Sequence, residues 1–295
     1  MKQTLCFCLA VTVTTLLLLA SCGGSPSYHQ ATVVTNPPNT VPGTPSNNNT
    51  NTNNDDEEEA EAEAEEEQTN PRIVNFNFSS SITGISYPIH IYLPADYASS
   101  NIDYPVIYAT DGQWIFNGFS QAIDAHQKSV ILVAIEQGPN DRRATDYPLP
   151  GALRYFDFLK SELIPTIEND YRILATERTL SGTSYGGVFV GVALLIDDTE
   201  NPLFKNYLSF DPSFYVHQSQ TSQLESARFN ASNNMRATVM FSSALLRGND
   251  QYVTWFKGLL DARNYRGLNI IRTSYRVDHN DVAGPSFDDA LNMLF

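Results

Sequence analysis

The chain has 295 residues, of which 42% are hydrophobic and 17% charged, and its formal net charge is −15. Ten of the 33 acidic residues stand in one run at 55–67, so the 23 acidic and 17 basic residues after position 70 give that part a net charge of −6. This balance is ordinary for a soluble domain and gives no support to nucleic-acid binding. Residues 71–295 are enough for one domain with a large core.

The N-terminus has a short basic start and an apolar run at 5–20, and the sequence Leu-Ala-Ser-Cys then ends at Cys22. This pattern predicts a secretory signal peptide over 1–21 rather than a membrane span. The last four residues resemble a bacterial lipobox, which implies cleavage before Cys22 and lipidation of its thiol. Acyl chains there would hold the protein on a membrane surface of the cell envelope. The residue after this cysteine is Gly23 and not the aspartate that retains lipoproteins in the inner membrane, so we expect the anchor in the outer membrane. The other two cysteines lie within the signal, which leaves no thiol for a disulfide, a metal site or a nucleophile.

Residues 22–70 have the composition of a disordered tether. The part at 25–54 is rich in Ser, Thr, Asn and Pro, and the part at 55–67 is the acidic run. Such segments bury too little apolar surface to offset the entropy that folding would cost. We therefore expect this segment to space a folded domain from the membrane.

Segments with strand and helix patterns alternate through the rest of the chain. Apolar runs or period-2 alternation predict strands at 73–78, 85–93, 105–109, 130–135, 207–210, 237–244 and 269–277, with a further strand before position 182. Apolar residues at helical spacing predict one helix from Pro150 to Ile167, another after position 187, and two more at 253–265 and 287–294. This alternation predicts an α/β fold, in which a mostly parallel central sheet carries helices on both faces.

The motif Gly-x-Ser-x-Gly is centred on Ser184, with an apolar strand before it and an apolar helix after it. This is the setting of a nucleophile elbow, a turn so sharp that its flanking positions accept only small residues. The turn exposes the serine hydroxyl above the sheet edge, and the helix that follows points its first N–H groups at the reaction centre. Ser184 is therefore the candidate nucleophile.

A serine hydroxyl needs a base to take its proton and an acid to orient that base. In this arrangement the partners follow the serine in the order acid, then histidine. His279 stands just after the last predicted strand and before the closing helix, which makes it the candidate base. Asp250, in the loop after the strand at 237–244, is the predicted acid, and Asp211, after the preceding strand, is its competitor.

Acyl transfer also needs hydrogen-bond donors for the developing oxyanion. The backbone N–H of Tyr185 directly follows the nucleophile, and Gln113, after the Asp-Gly pair that ends the third strand, is the candidate for the second N–H. Trp114 is a candidate lining residue of the substrate pocket. The pair Arg142-Arg143, and Arg142 in particular, could bind an anionic group of the substrate, although a surface salt bridge with Asp141 or Asp146 is the stronger expectation.

A series of short motifs also resembles one known family. They occur in order along the chain and read Tyr92-Leu93-Pro94, Tyr104-Pro105-Val106-Ile107-Tyr108 with Asp111-Gly112, Phe158-Leu159 with Glu162-Leu163-Ile164-Pro165, Tyr171-Arg172, the elbow with its double glycine, Asp211-Pro212-Ser213, and His279. Together they resemble the putative-esterase family of α/β-hydrolases, which holds esterase D-like, feruloyl, acetyl-xylan and siderophore esterases.

The resemblance implies an α/β-hydrolase fold over 71–295 and a serine esterase that needs no metal or organic cofactor. Ser184 would be its nucleophile and His279 its base, and its substrate would be a small-molecule or glycan-linked ester. Family members closest to the siderophore esterases often have Ser-Pro-Ser where this chain has Asp211-Pro212-Ser213, and the family's acid often follows the seventh strand. An acyltransferase of the same fold and a catalytically inactive tethered binding domain are the alternatives.

Overall fold

The structure, a computed structural model, describes residues 72–295. The predicted signal peptide, the lipidated Cys22 and the predicted tether lie outside these described residues. The strands are β1 (Ile73–Ser79), β2 (Ser86–Tyr92), β3 (Tyr104–Thr110), β4 (Ile131–Ile135), β5 (Ile173–Thr183), β6 (Asn206–Phe210), β7 (Asn234–Ser242) and β8 (Arg266–Arg272). The helices are α1 (Gly112–Ala125), α2 (Arg143–Asp146), α3 (Gly151–Phe158), α4 (Ile164–Asp170), α5 (Tyr185–Ile196), α6 (Gln218–Ala231), α7 (Asp250–Asp261) and α8 (Ala283–Leu294).

The strands form one eight-stranded sheet in the order β1-β2-β4-β3-β5-β6-β7-β8. Strand β2 pairs antiparallel with both β1 and β4, and every later pair in the sheet is parallel. Because parallel strands point the same way, the loops after β3, β5, β6, β7 and β8 meet at one edge of the sheet. This is the mostly parallel α/β-hydrolase sheet that the sequence predicted.

Side chains that alternate along the central strands build a separate core on each face of the sheet. On one face, Val106 and Tyr108 join the buried side chains of α3, α4, α5 and α7. On the other face, Ile107 and Ala109 pack beneath α1 and α8. Strands β4 and β6 are buried at every position. Strand β4 accordingly reads as a continuous apolar run, whereas β6 also buries the polar Asn206 and Ser209.

The helices depart from the sequence prediction in several places. The helix predicted after Pro150 is present, with a π-helical turn at Leu159–Leu163 between α3 and α4. Helices α1 and α6 were not predicted, since α1 begins at a glycine and α6 is polar around most of its circumference. Helix α7 begins at Asp250 rather than at position 253, and this difference changes the site. Within residues 72–295, no helix is long and apolar enough to cross a membrane.

Candidate active site

Ser184 occupies the turn between β5 and α5, as the motif predicted. Its backbone has φ 60° and ψ −115°, a region that residues other than glycine rarely adopt. The turn is held on both sides, because the Ser184 N–H donates to the Phe210 carbonyl at 3.0 Å and its own carbonyl accepts from the Val188 N–H at 3.0 Å. A strained residue that its surroundings hold so firmly is typical of a nucleophile elbow.

The two glycines of the motif are required by steric contact. A Cβ on Gly182 would lie 2.4 Å from the carbonyl carbon and oxygen of Gly186. A Cβ on Gly186 would lie 2.3 Å from the Thr110 hydroxyl oxygen at the end of β3. Strand, elbow and helix can therefore come this close together only because neither residue carries a side chain.

His279 follows β8 and begins a short 3-10 turn, His279–Asp281. Its Nδ1 lies 2.5 Å from Oδ2 of Asp211, and the histidine side chain is 29% exposed whereas the aspartate is fully buried. Because a carboxylate only accepts hydrogen bonds, Nδ1 carries the proton in this pair and Nε2 is the nitrogen that can accept one. The structure thus gives His279 the orientation that a general base requires.

Asp211 rather than Asp250 is the carboxylate that contacts His279. Asp211 directly follows β6 with φ 40°, and its Oδ1 accepts the backbone N–H groups of Ala244 at 3.0 Å and Asn249 at 2.9 Å. These two donors come from the segment after β7, and they direct the other oxygen, Oδ2, at the imidazole. The carboxylate is therefore oriented by main-chain groups that cannot rotate away.

The prediction that Asp250 is the acid partner of His279 is wrong. Asp250 is the first residue of α7, where the positive end of the helix dipole favours a carboxylate. Its Oδ1 accepts from the Ser243 hydroxyl at 2.6 Å and from the Arg272 guanidinium at 2.5 Å. Asp250 therefore begins helix α7 and forms an ion pair with Arg272. The loop in which the sequence analysis placed Asp250 ends one residue earlier, at Asn249.

The two predicted oxyanion donors lie at the beginnings of two helices. Tyr185 is the first residue of α5 and Gln113 the second residue of α1, positions where the backbone N–H has no intrahelical acceptor. A Cβ on Gly112 would be 3.0 Å from the backbone at the end of β4, so a glycine lets α1 begin this close to the sheet. The side-chain oxygen of Gln113 accepts from the Gln137 N–H at 3.1 Å, which braces this turn.

Arg143, rather than Arg142, reaches this end of the site. Arg142 pairs with Asp146 at 2.6 Å, which confirms the predicted salt bridge. Arg143 forms a two-pronged pair with Asp111, and both hydrogen bonds measure 2.9 Å. Burial raises the pKa of the Asp111 carboxyl, and the Arg143 guanidinium partly offsets this.

Aromatic rings surround the Arg143 guanidinium. Its central carbon lies 5.2 Å from the centre of the Trp114 ring and 5.4 Å from that of Tyr185. Trp114 is 62% exposed at one end of an open groove of about 400 Å³ between α1 and α8. The arginine therefore links the turn that carries Gln113 to the helix that carries Tyr185.

Two polar residues beside the nucleophile were not identified from the sequence. Ser213 Oγ lies 3.1 Å from Ser184 Oγ, and the Asn249 amide lies 3.3 Å from Ser213 Oγ. Ser213 stands in the Asp-Pro-Ser sequence and Asn249 directly precedes Asp250, so both were in stretches that the sequence had singled out. Neither residue type carries a catalytic signature of its own, and only their placement brings them to the nucleophile.

Comparison with known proteins now adds to this geometry. The profile of the family described as "Putative esterase" matches residues 80–270. The chain belongs to the putative esterase family. The matched range holds Ser184, Asp211 and Asn249, and it ends before His279, which the structure places against Asp211.

Among relatives of this family, the chain is similar to the ferri-bacillibactin esterase BesA of Bacillus subtilis strain 168. The two are 27% identical over 143 residues, which is 38% of this chain and 48% of BesA, so the match spans about half the length of that curated relative.

Solved structures show the same fold. An IroE-like serine hydrolase from Shewanella oneidensis superposes with a TM-score of 0.64 at 24% identity over 76% of this chain and 80% of that one. The BES protein from Bacillus cereus gives a TM-score of 0.65 at 23% identity over 76% and 94% of the two chains.

Proposed function

We propose that this member of the putative esterase family is a serine hydrolase of carboxylic esters. The observation that carries the proposal is the buried Asp211–His279 pair behind a serine in a strained elbow, Ser184. A solvent-facing serine, a histidine with its proton on Nδ1 and a fully buried carboxylate are the three components of nucleophilic acyl transfer.

In the proposed reaction, Ser184 Oγ attacks the ester carbonyl carbon while its proton passes to Nε2 of His279. The backbone N–H groups of Tyr185 and Gln113 donate to the carbonyl oxygen as it takes up the negative charge. The tetrahedral adduct collapses, and His279 returns the proton to the departing alcohol. A water molecule then repeats the sequence on the acyl-enzyme, which releases the acid and restores the serine.

Asp211 takes the role of the acid from the end of β6. Its Oδ1 accepts from two backbone donors, and Oδ2 contacts Nδ1 of His279 at 2.5 Å and shares the Asn249 N–H at 3.2 Å. As the imidazole gains a proton, the carboxylate stabilises the resulting positive charge and keeps Nε2 directed toward the nucleophile. Asp250 has no part in this proposal, because its charge is already paired with Arg272.

The first experiment is hydrolysis of p-nitrophenyl esters from acetate to octanoate by the full chain and by its Ser184→Ala variant. We expect turnover by the native protein and none above background by the variant. A variant that retains native turnover would refute the assignment of Ser184. Ferric siderophore esters belong in a second substrate panel, since BesA is named for hydrolysis of such an ester.

A lipid anchor at Cys22 is a further part of the proposal, and it is supported by the sequence alone. Expression in a bacterial host with an alkyne-tagged fatty acid should label the native chain. Replacement of Cys22 by serine should abolish the label and release the protein from the membrane fraction. Labelling that survives this substitution would refute the anchor without affecting the proposed chemistry.

A further inference from the structure

The hydrogen bond between Ser184 and Ser213 has a direction that the surrounding groups determine. Asn249 Nδ2 lies 2.9 Å from the backbone carbonyl oxygen of Asp211. A carbonyl oxygen only accepts hydrogen bonds, so the Asn249 atom that faces it must be the NH2 group rather than the amide oxygen. The orientation of this amide is therefore fixed by its neighbour.

The second hydrogen of the Asn249 NH2 group has two potential acceptors. Ser213 Oγ lies at 3.3 Å and His279 Nδ1 at 3.5 Å. The histidine nitrogen already carries the proton that it donates to Asp211, so it cannot accept another. Asn249 therefore donates to Ser213.

Ser213 is buried, so its single hydroxyl hydrogen needs an acceptor within the protein. Asn249 can only donate to it, and Ser184 Oγ at 3.1 Å is its other side-chain contact, so Ser213 donates to Ser184. The hydroxyl hydrogen of Ser184 is then available to His279, whose Nε2 takes this proton in the proposed function. The chain of donors runs from Asn249 through Ser213 to Ser184, and it leaves the nucleophile as a donor toward its base.

Ser213 is held rigidly enough for this direction to persist. Its side chain belongs to a residue that is only 2% exposed, and its backbone N–H donates to the Ser184 carbonyl at 3.1 Å. Main-chain and side-chain contacts therefore join the same two residues. Burial also limits competition from water for the hydroxyl groups.

We propose that Ser213 is a second catalytic hydroxyl, which donates to the nucleophile Ser184, and that Asn249 is the positioning residue that gives Ser213 this direction. The inference rests on the proposed function of Ser184. During acylation the Ser184 O–H bond breaks, its proton goes to His279 Nε2, and the new Oγ–carbon bond forms as the carbonyl π electrons move to oxygen.

The hydrogen of Ser213 stays on its own oxygen throughout. In deacylation the Ser184 oxygen leaves with the electrons of the bond to carbon and takes a proton from His279. The Ser213 donor stabilises the negative charge that the Ser184 oxygen carries both when its proton passes to His279 for attack and when it leaves carbon before the proton returns.

The test measures how fast a fluorophosphonate reacts with Ser184, because this probe needs an activated nucleophile and no knowledge of the natural ester. The full chain is compared with Ser213→Ala and with a matched control, Ser209→Ala. Ser209 is also a fully buried serine, at the end of β6, and its hydroxyl donates to the Gly187 carbonyl at 2.8 Å without contacting the nucleophile.

We expect Ser213→Ala to lower the second-order labelling rate by roughly 10-fold or more, the size of effect that a hydrogen bond to a developing charge produces. Ser209→Ala should lower the melting temperature without slowing labelling. Equal slowing in both variants would overturn the proposal, since it would show a structural effect only. A native or faster rate in Ser213→Ala would overturn it too.

The role of Asn249 is tested by combining substitutions. Asn249→Ala should slow labelling by a larger factor in the native background than in the Ser213→Ala background, because part of its effect passes through Ser213. Equal factors in both backgrounds would contradict that role. Failure of the native chain to react at Ser184 at all would instead overturn the proposed function.

Discussion

The substitution Asp211→Asn tests the central feature of the site, since it removes one charge while keeping the shape of the side chain. In the native protein, Oδ1 accepts two backbone N–H groups and Oδ2 accepts the proton of His279 Nδ1. An asparagine must keep its oxygen toward the two backbone donors, which places its NH2 group against Nδ1.

Two donors cannot face each other, so the imidazole would have to move its proton from Nδ1 to Nε2. The nitrogen that should accept the Ser184 proton would then carry one already. The equivalent change in the Ser-His-Asp proteases lowers kcat about 10⁴-fold. We predict a loss of that order in Asp211→Asn, about 5 kcal/mol of transition-state stabilisation at 1.36 kcal/mol per factor of ten.

The assay is kcat for p-nitrophenyl acetate at pH 7, with Asp250→Asn as the control. That control also removes one carboxylate charge near the same sheet edge, but from a side chain that is 46% exposed and paired with Arg272. It should stay within about 2-fold of native kcat, because exposed ion pairs contribute little. An Asp250→Asn variant that loses as much activity as Asp211→Asn would refute the reasoning.

Four further predictions concern stability. Gly182→Ala should lower the free energy of unfolding by about 3 kcal/mol, because its Cβ would lie 2.4 Å from the carbonyl of the second elbow glycine. Gly258→Ala, in open space on α7, should instead raise it by up to about 1 kcal/mol in the same urea titration. Arg143→Ala should cost about 3 kcal/mol in urea, since it leaves the buried Asp111 unpaired, and a loss below 1 kcal/mol would contradict this. Burial raises the pKa of the Tyr275 hydroxyl from 10.0 to about 12 in the folded protein. The free energy of unfolding that this shift contributes is complete below pH 10 and is lost as the pH rises from 10 to 12. In Tyr275→Phe the free energy of unfolding should fall less steeply between pH 10 and 12, and a slope equal to that of the native protein would contradict this prediction.

Much of the fold follows from local patterns. The continuous apolar run of β4 identifies a strand that is buried on both faces, and the spacing of apolar residues after Pro150 identifies α3 and α4. Helix α6 escaped prediction because its sequence is polar around most of its circumference, with few apolar residues to reveal a period. Its position is decided by the elements on which it packs.

By itself, the sequence identified the candidate nucleophile and its candidate base. The elbow around Ser184 is recognisable locally, because its Gly-x-Ser-x-Gly sequence stands between an apolar strand and an apolar helix, and Gly182 is demanded by its contact with Gly186 in the same turn. His279 is recognisable by its order in the chain, after the last strand.

Only the tertiary structure decided which carboxylate completes the site. Asp211 and Asp250 follow neighbouring parallel strands, whose ends meet at one sheet edge, so chain order alone does not separate them. The choice depends on the left-handed turn at Asp211, on backbone donors from the segment after β7, and on α7 beginning at Asp250. These are contacts between residues more than thirty positions apart, and folding must bring them together before the side chains acquire their roles.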